Sequence, residues 1–259
     1  MSTEPTPAEL LRRLVAADPG RPRITVYDDT DSPTRGERIE LSARVLANWV
    51  AKAANLLRDE LDVGLGSVVR LDLPPHWRTL YWALAAWSVG ACVEVPAHHG
   101  PDAVRAPSVP AVAAGTGADV VVTDAVDVAT AVAAAGGDAV LVTLAALARS
   151  AGAPVAAGVI DEARELATHG DVFDAWDEPE PSDVALRVPG DGETTYAAVV
   201  PEAGARGERV HTGTPDTAAF LHLSLEVWAG DGSLVLSRGD AGDDVLESRF
   251  VAEGVTRRV

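Results

Sequence analysis

The stretch Pro189-Gly190-Asp191-Gly192-Glu193-Thr194-Thr195 follows an apolar run, Val184–Val188, and has the residue types of an anion-binding loop. Glycines let a backbone turn so that its N–H groups converge on a ligand, and threonine hydroxyls add donors. Gly190, Gly192, Thr194 and Thr195 are therefore the candidate ligand-binding residues. The same stretch carries Asp191 and Glu193, and no Lys or Arg follows it before Arg206. A carboxylate about 4 Å from a phosphate charge costs about 1–4 kcal/mol at surface dielectric values. Two other readings compete with phosphate binding: a polar turn joining two strands, and a loop with a changed ligand.

Other chemistry finds little support. The histidines are His76, His98, His99, His169, His211 and His222. His98 and His99 are adjacent, so in regular structure they point apart, and none of the six has helical metal-ligand spacing to another. With Cys92 as the single cysteine, neither a zinc site nor an internal disulfide is expected. Cys92 lies in the apolar run Gly90-Ala91-Cys92-Val93-Glu94-Val95-Pro96, which suits a buried structural thiol. No Gly-x-Ser-x-Gly nucleophile elbow occurs. Gly64-Leu65-Gly66 lacks the third glycine of a dinucleotide fingerprint and precedes a strand, so it reads as a turn. Asp177, Glu178 and Glu180 sit beside Pro179 and Pro181 and read as a solvated charge run. Trp77, Trp82 and Trp87 could form an aromatic box, but core packing is the simpler use. No catalytic residue and no metal ligand is assigned, and the residues name no cofactor.

The net charge of −18 includes twenty arginines and one lysine, Lys52. This bias suits GC-rich coding, as in actinobacteria, or a salt-adapted source. The acidity argues against nucleic acid and anionic membranes as partners. No apolar run approaches membrane-span length and no signal peptide is visible, so a cytoplasmic location is expected.

The surrounding elements alternate between strand and helix. Thr6-Pro7-Ala8-Glu9 reads as an N-cap, a first-turn proline and a capping-box Glu, opening a helix to about Ala17. Arg23–Tyr27 and Arg38–Leu41 read as a hairpin. Ser42 caps a long amphipathic helix to about Leu61, on which Lys52 should be solvated. Strands over Ser67–Leu73 and Ala91–Val95 flank a helix marked by Trp77, Leu80, Tyr81, Leu84 and Trp87. Prolines and glycines over 97–117 break any helix there. A strand at 118–124, a helix capped by Asp124 and a strand at Ala139–Thr143 follow, with helices at Leu144–Ser150 and Asp161–Thr168. The acidic segment from Asp171 to Asp183 is a solvated link. From Phe220 to Arg238 the pattern fits either a hairpin about Gly230-Asp231-Gly232 or a helix followed by a strand. Asp240–Glu253 reads as a helix. The fold class is α/β with a mainly parallel sheet flanked by helices, divided into subdomains 1–170 and 183–259 that can pack as one domain.

Two stretches resemble one superfamily, the acyl-adenylate-forming enzymes, which include acyl-CoA synthetases and AMP-binding ligases. Residues 37–98 follow its opening: a long helix around Asn55-Leu56-Leu57, a Gly-x-Gly turn, a helix ending in Ser88-Val89-Gly90-Ala91, and a strand ending in Val95-Pro96. Residues 227–256 resemble its later helix-strand-helix, which favours the helical reading of 220–229. The resemblance extends to short actinobacterial proteins that look like the front half of an AMP-binding enzyme. It places Val188–Val199 where the family has Tyr-Thr-Ser-Gly-Thr-Thr-Gly-x-Pro-Lys-Gly, its triphosphate loop. The lysine of that motif is missing, as are counterparts of the family's Gly-Tyr-Gly-x-Thr-Glu motif and of its adenylation lysine. The resemblance thus implies the scaffold without adenylation: a ligand- or partner-binding module. Its alternatives are a ligase-like enzyme that retains nucleotide or acyl binding, and a structural dimerisation module. A homodimer or a protein partner is expected.

Overall fold

A computed structural model describes residues 5–96, 117–152 and 154–259. Helix α1 (Pro7–Ala17) begins as read: Thr6 Oγ1 accepts from Glu9 N at 3.2 Å, and Glu9 Oε2 accepts from Thr6 N at 2.9 Å. Strands β1 (Pro22–Asp29) and β2 (Arg38–Ser42) form the expected antiparallel hairpin. Helix α2 (Ala43–Asp59) starts at Ser42, whose side chain accepts from Val45 N. Strand β3 (Val68–Asp72), helix α3 (Trp77–Ser88) and strand β4 (Cys92–Glu94) follow. Trp77, Trp82 and Trp87 are all buried, so the three indoles are core.

Beyond the undescribed stretch come β5 (Val120–Thr123), α4 (Val126–Ala134), β6 (Asp138–Leu141) and β7 (Val159–Asp161). A single turn, α5 (Glu162–Glu165), runs into a 3₁₀ turn at Leu166–Thr168. The chain continues through β8 (Val184–Val188), β9 (Gly192–Thr195), β10 (Arg209–Thr212), α6 (Thr217–Ala229), β11 (Ser233–Gly239), α7 (Asp243–Glu253) and β12 (Arg257–Arg258).

Two sheets result. One has the order β12-β10-β11-β1-β2, the other β7-β6-β5-β3-β4-β8-β9. Each is parallel except for one antiparallel edge strand, β2 and β9 respectively. Both sheets take strands from either side of the acidic link: β1 pairs with β11, and β4 with β8. Helix α3 packs on β3 and β4 and also touches β1, so it lies between the sheets. No helix among the described residues is long and apolar enough to cross a membrane.

Three expectations are corrected. Leu144–Ser150 is not helical, because tertiary partners take its backbone: Ala146 N donates to Glu37 Oε2 at 3.3 Å, and Ala145 O accepts from the Arg78 guanidinium at 2.9 Å. The cap of α4 is Ala125, one residue past Asp124, and Thr123 Oγ1 accepts from Ala125 N at 3.1 Å. Residues 217–229 form the helix that the resemblance favours over a hairpin; Phe220, Leu221, Leu225 and Trp228 share its buried face. Lys52 is only partly solvated: it donates to His169 O at 2.6 Å and pairs with Asp171 at 2.8 Å. His98, His99 and the broken region between 97 and 116 lie outside the described residues.

Glu253, at the end of α7, accepts from Tyr27 at 2.5 Å and pairs with Arg38 at 2.8 Å and with Arg209. Burial works to raise its pKa, but these donors outweigh burial and bring it to about 2. A carboxyl depressed on folding stabilises the native state above its ordinary pKa and loses that contribution as pH falls towards the native value. Glu253→Gln should therefore be less stable than the parent at pH 7, with the gap closing between about pH 4.5 and 2. Urea unfolding across that range checks this, and a pH-independent gap would refute it.

Candidate functional site

At the candidate loop the chain forms a tight hairpin. Pro189 and Gly190 are its central residues, with Gly190 at φ +95° and Asp191 N donating to Val188 O at 2.9 Å. Proline second and a positive-φ glycine third is the pattern of a type II turn. Gly192, at φ +123°, then opens β9 opposite Val188. Thr194 pairs with Leu186, and Thr195 with Val184. Gly190, Gly192, Thr194 and Thr195 thus lie together in an edge hairpin, and a Cβ at either glycine would meet open space. Tyr196 then turns inward, where its hydroxyl donates to Ala91 O at 2.8 Å.

The hairpin ends a ladder of alternating charges that runs across four strands. Arg70, Glu94, Arg187 and Glu193 are direct partners in successive strand pairs. Arg70 Nη1 lies 3.0 Å from Glu94 Oε1, Arg187 Nη1 lies 3.8 Å from Glu94 Oε2, and Arg187 Nε donates to Glu193 Oε1 at 2.8 Å. Opposite charges facing each other across strands stabilise a sheet, and Glu94 is buried between two guanidiniums. Arg187 precedes the loop, whereas the sequence pattern points to a cation after it. The only signal available was a charged residue inside each of three apolar runs, Val68–Leu71, Cys92–Val95 and Val184–Val188.

The carboxyl ends of the parallel strands are where open α/β folds usually bind ligands. Here they hold buried polar groups that pair with one another. His76 caps α3, with its Nδ1 accepting from Arg78 N at 3.3 Å. Burial, with Arg238 and Arg78 adding repulsion, holds it well below the usual imidazole range, so it stays neutral. Asp28 accepts from Thr34 at 2.6 Å and pairs with Arg238 at 2.5 Å. Arg78 pairs with Glu162 at 2.8 Å, both fully enclosed. At the opposite, amino end of β4, burial raises the Cys92 thiol to about 11, which keeps it protonated and inert. No cluster of metal-ligating side chains occurs among the described residues.

Two cavities of about 320 and 430 Å³ lie elsewhere, where α1, α2 and the end of α3 meet the acidic link. They share Ala8, Arg12, Ser88 and Ala175, and so form one groove. The link beside it is held by α2. Asn55 Nδ2 donates to Gly170 O at 3.2 Å and Val172 O at 3.0 Å, and Arg58 Nη1 donates to Asp174 O at 2.9 Å.

Two mainly parallel sheets with α3 between them form a fold that solved acyl-CoA synthetases share. An acyl-CoA synthetase from Brucella canis superposes with a TM-score of 0.73 at 16% identity, covering 99% of this chain and 47% of its own. Acetoacetyl-CoA synthetase from Streptomyces lividans gives 0.74 at 17% identity, covering 98% of this chain and 42% of its own. The N-terminal domain of FACL13 from Mycobacterium tuberculosis gives 0.69 at 16% identity, with 98% and 62% covered. The chain therefore spans less than half the length of the two synthetases, and at these identities the likeness is one of fold. No protein-family model matches the chain. A TIGR03089 family protein of Mycobacterium tuberculosis (strain ATCC 25618 / H37Rv) is 38% identical over 262 residues, 96% of this chain and 95% of that one. The chain belongs to the TIGR03089 family.

Proposed function

We propose that this protein uses the front part of an adenylate-forming fold for binding, without adenylation chemistry, as a cytoplasmic ligand- or partner-binding module. The hairpin at Val188–Thr195, which the sequence resemblance aligns with a triphosphate loop, supports this reading. Its turn closes on itself through Asp191 N and Val188 O, its threonines lie in strand pairing, and Asp191 and Glu193 replace the cation a triphosphate needs. Arg187 is spent on Glu193 and Glu94, and Lys52 on Asp171, so neither is free to meet a nucleotide.

The test is thermal unfolding with Mg·ATP, AMP or an acyl-CoA. A ligand at a hundred times its Kd adds about 2.7 kcal/mol to native stability, which moves the melting temperature by several degrees. Millimolar Mg·ATP and AMP are expected to leave the melting temperature within about 1 °C. A saturable rise with either nucleotide would replace this proposal with the ligase-like alternative. A dimer without other ligands in sedimentation would favour the dimerisation module.

A further inference from the structure

The acidic link is a pinned element that displays its apolar side chains. Lys52, Asn55 and Arg58, three residues apart on α2, hold the carbonyls of His169, Gly170, Val172 and Asp174 in turn. The segment therefore runs along α2 in a defined register. Arg58 is flanked by the rings of Phe173 and Trp176, each at 4.9 Å. Phe173 packs against the core, whereas Val172 and Trp176 remain 75% and 77% exposed. A backbone with so many tertiary hydrogen bonds, carrying two outward apolar side chains, is preorganised to be bound.

Beside it lies the groove, whose wall includes Leu11, Val15, Ala47 and Val50. Among the described residues, Arg12 is the one cationic side chain lining it, against Asp171, Asp174, Asp177, Glu178 and Glu9. Asp171 is neutralised by Lys52. Asp177, Glu178 and Glu180 are exposed and form no ion pair among the described residues. A second copy fits poorly, because each copy carries a net charge of −18 and would bring the same carboxylates to the contact.

We propose that this groove and the segment 171–180 dock a basic, amphipathic segment of a partner protein. Apolar side chains of the segment enter between α1 and Phe173. Its Lys or Arg residues meet Asp177, Glu178 and Glu180. The proposal rests on the partner-binding form of the function above and names the partner's chemistry.

The probe is a synthetic Leu/Lys amphipathic helix, measured by calorimetry on the full chain. One-to-one binding is expected, with hydrogen-exchange protection at α1 and 170–178. Val172→Ala with Trp176→Ala should weaken it about tenfold or more, as anchor removal does. Asp177→Asn, Glu178→Gln and Glu180→Gln together should weaken it by about the same factor and flatten its salt dependence. Asp240→Asn, Asp243→Asn and Asp244→Asn remove as much charge elsewhere and should change affinity less than about twofold. Equal binding of a scrambled peptide, or equal weakening by the control set, would mean attraction to net charge alone and would overturn the proposal. Self-association abolished by Trp176→Ala would overturn it in favour of a second copy. The outcomes are separable: nucleotide binding with docking intact defeats only the non-catalytic reading, while no docking and no nucleotide binding defeats only this one.

Discussion

Arg78→Met should lower unfolding free energy by about 3–5 kcal/mol, because removing one partner of a buried ion pair strands the other. Arg78 and Glu162 are 2% and 0% exposed and 2.8 Å apart. The guanidinium also donates to Ala145 O at 2.9 Å and Tyr81 Oη at 3.2 Å, and stacks 4.4 Å from the Trp77 ring centroid. Burial pushes Glu162 up to about 7, against the downward pull of Arg78. A carboxyl raised on folding contributes stability below its ordinary pKa and loses it as pH rises through the native value. Without Arg78 the native value rises further, so the variant's deficit should be smaller at pH 5 than at pH 8. Glu162→Leu added to Arg78→Met should recover much of the loss, since an apolar pair carries no desolvation penalty. Urea unfolding at both pH values is the measurement. A deficit under about 1 kcal/mol, or one equal at both pH values, would contradict this account.

Trp228→Ala should cost a similar amount, about 3–5 kcal/mol, by opening a cavity where an indole was fully enclosed. Trp228 lies on α6, and its Nε1 donates to Arg23 O at 3.1 Å, tying a late helix to β1. Trp228→Phe keeps most of the apolar contact but leaves that buried carbonyl without its donor, at about 1–3 kcal/mol. The ordering parent, Phe, Ala in denaturant midpoint checks both terms. An Ala variant as stable as the Phe variant would mean that the site collapses around the smaller side chain.

Local signals were legible where one short stretch contains all the physics. The capping box at Thr6 and Glu9, the Ser42 cap, the buried Trp77, Leu80, Tyr81, Leu84 and Trp87 of α3 and the buried thiol of Cys92 all stand as read. The failures share a cause: side chains remote in sequence take over a local choice. Leu144–Ser150 has helical composition, but Glu37 and Arg78 claim its backbone groups. Lys52 has the position of a solvated lysine, but the carbonyl of His169 and the carboxylate of Asp171 come to it. The acidic link reads as solvent-facing, and its side chains largely are, while α2 holds its backbone.

The candidate loop divides along the same line. Its residue types alone determined that Gly190 would turn and that Asp191 and Glu193 would oppose an anion, since conformational freedom and charge belong to each residue. Only the tertiary structure decided that Arg187 faces Glu193 and Glu94, that Glu94 faces Arg70, and that Thr194 and Thr195 are spent in an edge strand. Register between strands is set by long-range packing of both sheet faces against α3 and its neighbours. No short segment contains that information, because each strand is compatible with several pairings until the core selects one.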